Sequence, residues 1–224
     1  MSLDVAVLVV AKAPVPGFAK TRLAREVGDV RAADLAAASL LDTLDAVLDA
    51  RVAQRVVAIT GDLDRAVQSP DITAALGRFT VVPQRGDDFA ERLVNAHADA
   101  FAAFGLPVLQ IGMDTPQVTA GLLADSAGLL TERPGRCVLG LAEDGGWWIL
   151  GVPDADAAEA IRPVPTSSPD TGRLTRDALL AAGAEVLSLP TLRDVDYATD
   201  VAPVAALCRE SSRFRREYLS TARG

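Results

Sequence analysis

Short apolar runs recur along the chain at Val5–Val10, Arg55–Ile59, Phe79–Val82, Val108–Gly112, Cys137–Leu141, Trp147–Val152 and Glu185–Leu189. Runs of this length and β-rich composition predict buried strands. Between them lie Ala- and Leu-rich stretches with helical spacing. These predict helices over Val30–Asp49, Asp88–Phe104, Thr119–Glu132, Asp154–Ile161, Leu174–Ala182 and Thr199–Phe214. In the third of these, Leu122, Leu123, Leu129 and Leu130 share a face and Thr119 is placed to cap the start. Gly183 follows the fifth, where a C-terminal cap belongs. Strands alternating with helices define an α/β fold, a sheet with covering helices.

One junction breaks that rhythm. Only Ala142-Glu143-Asp144-Gly145-Gly146 separates the fifth strand from the sixth. A parallel crossover needs about a dozen residues, so this link suits a hairpin, or a chain that bends away and returns antiparallel. The sheet is therefore expected to be mostly parallel with an antiparallel insertion. Arg162–Arg173, rich in Pro, Ser and Thr, is expected to form a mobile loop. No linker, repeat or low-complexity tract interrupts the chain, so residues 1–224 are expected to form a single domain.

Composition narrows the partners. Half of the 224 residues are apolar, enough for a substantial core, and the net charge is −8. A general nucleic-acid binder would show a broad basic surface, so nucleic acid is excluded as a partner. Val5–Val10 is too short to span a membrane and its flanks are not those of a secretory signal. Cys137 and Cys208 match no metal-ligand spacing and read as buried thiols in a reduced compartment. The expectation is a cytoplasmic protein with no membrane partner, monomeric or a homodimer.

Against this acidic background one loop stands out. The first strand empties into Ala11-Lys-Ala-Pro-Val-Pro-Gly-Phe-Ala-Lys-Thr-Arg-Leu23, stiffened by Pro14 and Pro16 and freed at Gly17. Ligands of α/β proteins gather at the carboxyl ends of strands. Lys12, Lys20 and Arg22 placed there call for a polyanion, most simply a nucleotide's phosphates. A solvated surface turn would use the same residue types, and the acidic groups further along break the tie.

Asp114, in Leu109-Gln-Ile-Gly-Met-Asp-Thr-Pro116, lies just past the fourth strand. If the first and fourth strands are neighbours, Asp114 and Lys20 share one edge of the sheet. A carboxylate beside a phosphate is repulsive unless a divalent cation lies between them, so Mg²⁺ or Mn²⁺ is the expected cofactor. Asp144 and Asp196 are the candidates to complete the metal site. Asp144 also fits a plain Asp-Gly turn, and its glycines permit close approach to a ligand. In Asp194-Val-Asp196-Tyr-Ala-Thr-Asp200, Thr199 or Asp200 is expected to cap the next helix, leaving Asp194 and Asp196 free. Gln84 can read a base edge through its amide. Asp87 and Asp88 suit the start of a helix. His97, the single histidine, falls near the apolar stripe of Phe89, Leu93, Phe101 and Phe104 and is expected to be half-buried and structural. One histidine and no Gly-x-Ser-x-Gly elbow exclude a Ser-His-Asp hydrolase. Walker-A and Gly-x-Gly-x-x-Gly patterns are absent as well.

Four segments in order carry a family resemblance: Lys12-Ala-Pro-Val-Pro-Gly-Phe-Ala-Lys-Thr-Arg-Leu23, Ile111-Gly-Met-Asp-Thr-Pro116, Glu143-Asp-Gly-Gly-Trp147 and Leu192-Arg-Asp-Val-Asp196. They resemble a bacterial family of glycosyltransferase-A-like (GT-A) proteins in the nucleotide-diphospho-sugar transferase superfamily, with 2-phospho-L-lactate guanylyltransferase as a relative. The resemblance spans nearly the whole chain. It implies a GT-A fold with nucleotide and metal at the strands' carboxyl ends. Lys12, Pro14, Gly17, Lys20, Arg22 and Gln84 would then bind nucleotide, with Lys20 and Arg22 catalytic. Asp114, Asp196 and Asp144 would hold the metal, and Gly145, Gly146 and Trp147 would lie on the acceptor side. Trp147 replaces the family's usual Tyr, and Pro165-Thr-Ser-Ser-Pro-Asp-Thr171 stands where the family carries an aromatic-rich Trp-Ser-Thr-like segment. The acceptor side therefore departs from the family pattern.

Two reactions remain open. A nucleotidyltransferase takes a nucleoside triphosphate and a small-molecule phosphate or hydroxyl acceptor, releasing pyrophosphate. A glycosyltransferase takes a nucleotide-sugar and passes the sugar to an acceptor. Three cations suit the departing pyrophosphate, which favours the first. A non-catalytic nucleotide-binding protein ranks last, because the acidic residues are all present.

Overall fold

A computed structural model of the chain describes residues 2–221. The central strand β1 (Leu3–Lys12) has β2 (Val52–Thr60) on one side and β4 (Val108–Gly112) on the other, both parallel to it. β3 (Thr80–Pro83) extends one edge. Beyond β4 come β6 (Trp147–Val152), β5 (Arg136–Ala142) and β7 (Glu185–Leu192), giving the order β3-β2-β1-β4-β6-β5-β7. β6 alone runs against its neighbours, because the short link from β5 makes the expected hairpin. β4 and β6 have the bounds read from the sequence, and the adjacency of β1 and β4 is the one the candidate site required. The unbroken apolar run in β1 follows from its central position: Val5 to Val9 are fully buried.

Helices cover both faces. α2 (Asp29–Asp49), α3 (Ser69–Leu76) and α5 (Ala120–Thr131) pack one side through Leu40, Leu44, Ile72, Leu123 and Leu130. α4 (Phe89–Phe104), α6 (Ala155–Glu159) and α7 (Thr171–Ala181) pack the other. α1 (Thr21–Val27), α8 (Ala198–Leu207) and α9 (Arg213–Thr221) form an outer layer on α2, around Leu23, Leu35, Val204 and Phe214. Among the described residues no helix is long and apolar enough to cross a membrane.

Three helices differ from the sequence expectation. α1 begins within the Ala11–Leu23 stretch that reads as a loop, and α3, which opens on Ser69-Pro-Asp71, lies where the sequence indicates no helix. Both are short, and tertiary packing of Leu23 and Ile72 supplies what their length cannot. The expected helix Thr199–Phe214 is two helices. Buried Asp42 of α2 causes the break: its carboxylate accepts from the Ser212 hydroxyl at 2.6 Å and from the backbone N–H groups of Arg213 and Phe214, both at 2.9 Å. Those bonds satisfy the first donors of α9 and start a new helix there.

Candidate functional site

The site is built where β1, β4 and β7 end. Past β1 the chain turns through Ala13–Lys20, and Lys20 itself adopts a left-handed conformation, with φ 53° and ψ 45°, at the start of α1. A non-glycine residue in that region stores roughly 1 kcal/mol or more of strain, and such strain concentrates at functional sites. Here the geometry aims the side chain inward. The Lys20 ammonium lies 2.9 Å from Asp114 Oδ1 and 3.0 Å from Asp196 Oδ1. Arg22 donates to the other Asp196 oxygen at 2.9 Å. The Val195 N–H donates to the Asp114 carbonyl at 3.0 Å, locking the β4 and β7 loops together.

Electrostatics follow from that contact. Burial alone would lower the Lys20 pKa, but the charges and hydrogen bonds of Asp114 and Asp196 outweigh it and hold the ammonium above its ordinary value. For Asp196 burial pushes upward, and Lys20 followed by Arg22 pulls the carboxyl below the usual range. Lys20 and Asp196 therefore form a charged pair that is sheltered from solvent.

Beside that pair, one carboxylate oxygen from each of Asp144, Asp194 and Asp196 falls within 4.8 Å of the other two. Burial first, then Asp144 and Asp196, push Asp194 up to about 6, against an opposing pull from Lys20. Three hard oxygen donors crowded against their own repulsion fit Mg²⁺ or Mn²⁺. The arrangement differs from the sequence expectation, in which Asp114 leads. Asp144 and Asp196 converge with Asp194, whereas Asp114 sits across Lys20 from that cluster. The sequence had indicated Asp194 only as a residue left free by the helix cap. That cap is Asp200, whose carboxylate accepts from the N–H groups of Asp196 and Tyr197.

These groups open into a cleft of about 460 Å³ lined by Lys12, Lys20, Arg22, Gln84, Asp114, Asp144, Gly146, Trp147, Asp194 and Asp196, among others. Pro14, Gly17 and Gly145 lie outside the lining. Pro14 is buried and its carbonyl accepts from Val67 N–H at 3.0 Å, a structural part. Gln84 lines the cleft but donates its amide N–H groups to the carbonyls of Ala11 at 2.7 Å and Ala58 at 3.0 Å, which leaves that nitrogen committed to the sheet. The Lys12 ammonium lies 5.9 Å from the Phe18 ring centre, an intramolecular cation–π contact at the rim.

The double glycine has a different reason from the one its sequence indicates. A Cβ on Gly145, at φ +92°, would sit 2.0 Å from the Pro169 carbonyl oxygen, and one on Gly172 would sit 2.5 Å from that of Gly146. The close approach at Gly145 is thus to the Thr166–Thr171 loop, while Gly146 lines the cleft. That loop, expected to be mobile, is tied by Gly172 N–H to the Gly145 carbonyl at 2.8 Å and by the Thr171 hydroxyl to the Pro165 carbonyl at 2.9 Å. Thr166, Ser167 and Ser168 form one wall of the cleft. Two buried cleft residues that the sequence did not single out are Gln110 and Thr115. Among the described residues, neither atom of the Gln110 amide nor the Thr115 hydroxyl has a hydrogen-bond partner.

A mixed sheet in this order, with basic and acidic loops meeting at the strands' carboxyl ends, defines a nucleotide-diphospho-sugar transferase fold. The family model described as an uncharacterized protein conserved in bacteria (DUF2064) matches residues 43–168, and the chain belongs to that family. A crystal structure from Desulfovibrio desulfuricans G20, provisionally named a nucleotide-diphospho-sugar transferase, is 28% identical with a TM-score of 0.78, covering 96% of this chain and 91% of that one. More distant matches share the fold. A cytidylyltransferase from Leptospira borgpetersenii is 12% identical with a TM-score of 0.60, over 99% of this chain and 94% of that one. CMP:2-keto-3-deoxy-manno-octonic acid synthetase complexed with CTP is 13% identical with a TM-score of 0.56, over 91% and 98%. No curated protein matches the chain.

Proposed function

We propose that this chain is a metal-dependent transferase acting on a nucleotide, and that its reaction is nucleotidyl transfer. The observation that carries the reading is the meeting of Lys20 and Arg22 with Asp114, Asp144, Asp194 and Asp196 at one end of the sheet. Cations alone would hold phosphate, and carboxylates alone would repel it; the two together suit a metal-nucleotide. Asp144, Asp194 and Asp196 would hold Mg²⁺ or Mn²⁺, which when bound screens these carboxylates from the phosphates. The provisional name of the Desulfovibrio protein supports the same substrate class.

In this reading a nucleoside triphosphate lies across the cleft with its β- and γ-phosphates toward the basic loop. An acceptor oxygen attacks the α-phosphorus, the bond to the bridging oxygen breaks, and its electron pair leaves on pyrophosphate. Lys20 and Arg22 donate to oxygens whose charge grows during that step, so they act on the transition state more than on the ground state. A phosphate acceptor is already an anionic nucleophile and needs no general base.

A second reading is glycosyl transfer from a nucleotide-sugar. It is favoured by the engagement of both Lys20 and Arg22 with Asp196, which leaves less positive charge for a triphosphate. Product analysis separates the two. Incubation with labelled GTP or CTP, or with GDP-mannose or UDP-glucose, each with Mn²⁺ and candidate sugar phosphates, is expected to release pyrophosphate from the triphosphate. Release of nucleoside diphosphate with sugar transferred would establish the second reading and refute the first.

A further inference from the structure

On the helix α4 side of the sheet, the floor of the cleft carries a polar group that the protein does not satisfy. Gln110 is in the middle of β4, in register with Leu8 of β1 and Leu150 of β6. Register partners share a face, and Leu8 belongs to the layer against α4 with Val10 and Leu93. The Gln110 side chain therefore lies in that apolar layer. It is fully buried, and neither its Nε2 nor its Oε1 has a partner among the described residues. A buried amide without hydrogen bonds is a net loss to the fold, and an apolar side chain of similar shape would serve the layer better.

The path to the cleft is open above it. Two residues on, the same face of β4 carries Gly112, where a Cβ would meet nothing nearer than the Asp114 nitrogen at 3.9 Å. Val10, Leu93 and the half-buried Trp147 stand around that gap and line the cleft. An aromatic face and aliphatic walls suit the C–H surface of a ring, while a carboxamide supplies one donor and one acceptor without charge. A ring hydroxyl uses both, and so does a nucleobase edge, but the base is common to a nucleotide-sugar and its matching triphosphate, so the two are told apart by comparing those ligands. A phosphate would use only the donor.

We infer that Gln110 is a specificity-determining residue whose carboxamide hydrogen-bonds a ring hydroxyl in the sugar part of a nucleotide-sugar. This rests on the proposal that the cleft takes a nucleotide. It holds for either reaction, since a nucleotide-sugar is the donor in glycosyl transfer and the product when a sugar phosphate accepts a nucleotidyl group. Sites built to bond a hydroxyl discriminate strongly, because their own polar atoms are stranded when it is missing.

The test is Gln110→Met, which keeps the shape and removes the amide. Calorimetric titrations with Mn²⁺ present compare GDP-mannose with GTP and UDP-glucose with UTP, and thermal melts follow the free protein. The variant is expected to melt no lower than the wild type. It should lose about tenfold in affinity for the nucleotide-sugar that the wild type binds, and less than twofold for the matching triphosphate. Equal losses for both ligands, or none, overturn the assignment and leave the parent proposal standing. A variant that fails to fold or melts well below the wild type overturns it too, because the amide would then be structural. If the wild type binds none of the four nucleotides, the parent proposal itself fails and takes this inference with it.

Discussion

His97 makes the stability of this protein sensitive to acid in a way that a single substitution should remove. The imidazole is on the sheet-facing side of α4, 1% exposed, with no partner for either nitrogen among the described residues. Burial pushes its pKa from 6.5 down to about 3, with no charged neighbour contributing. The native state therefore refuses a proton that the unfolded chain accepts below pH 6.5. Stability is complete above that pH and falls as pH drops, levelling off near the folded value of about 3. A gap of about 3.5 in pKa, at about 1.4 kcal/mol each, is worth on the order of 5 kcal/mol in total. Between pH 6.5 and 5 about 2 kcal/mol should already be lost. For a fold whose whole stability is about 5–15 kcal/mol, that is a large share. Asp194, raised to about 6, works in the opposite sense and is common to both proteins in the comparison. In His97→Leu the side chain keeps a similar volume and cannot charge. Urea unfolding followed by fluorescence of Trp147 and Trp148 at pH 8, 6 and 5 measures the difference. The variant should match the wild type within about 1 kcal/mol at pH 8 and exceed it by about 2 kcal/mol at pH 5. Parallel loss of stability in the two proteins would refute the argument, and would mean that the imidazole is solvated or paired in solution.

Other predictions concern the site and its rim. Asp194→Asn should weaken Mn²⁺ binding, followed by calorimetry or electron paramagnetic resonance, by about tenfold or more, and Asp114→Asn should weaken it less; the reverse ranking would return Asp114 to the centre of the metal site. Lys20→Ala should lower kcat by about 10² or more with a much smaller change in nucleotide Kd, since the lost contact is one that strengthens in the transition state; equal losses in both would assign Lys20 to ground-state binding. Gly145→Ala should destabilise the fold by about 2–4 kcal/mol in urea and loosen the Thr166–Thr171 wall, because the new Cβ meets the Pro169 carbonyl and the φ is positive. Asp42→Ala, which strands the first donors of α9, should cost about 3 kcal/mol or more by the same measurement.

Much of this was legible in the sequence. Strand and helix periodicity are local properties, and so β4 and β6 have the bounds that their apolar runs indicate, and the hairpin follows from the length of one link. The basic loop and the order of the acidic motifs were also visible, because motif residues sit beside the strand ends that carry them. The rest depended on contacts with no local signal. Lys20 and Asp196 are 176 residues apart, and the return of the segment after β7 to the end of β4, held by the Val195 N–H on the Asp114 carbonyl, together with the turn at Lys20 brings their side chains into one ion pair. Asp194 reads only as a residue left free by the helix cap until the chain folds it against Asp144. Gly145 looks like a residue that admits a ligand until Pro169 is seen against it. α9 begins where it does because Asp42, on a helix far earlier in the chain, supplies the cap. Gln110 interrupts an otherwise apolar strand, and the sequence shows that interruption. That its amide lies unpaired beneath an open position at Gly112 is decided by the packing of α4 on the sheet, since burial and partnership belong to the assembled fold and not to any stretch of chain.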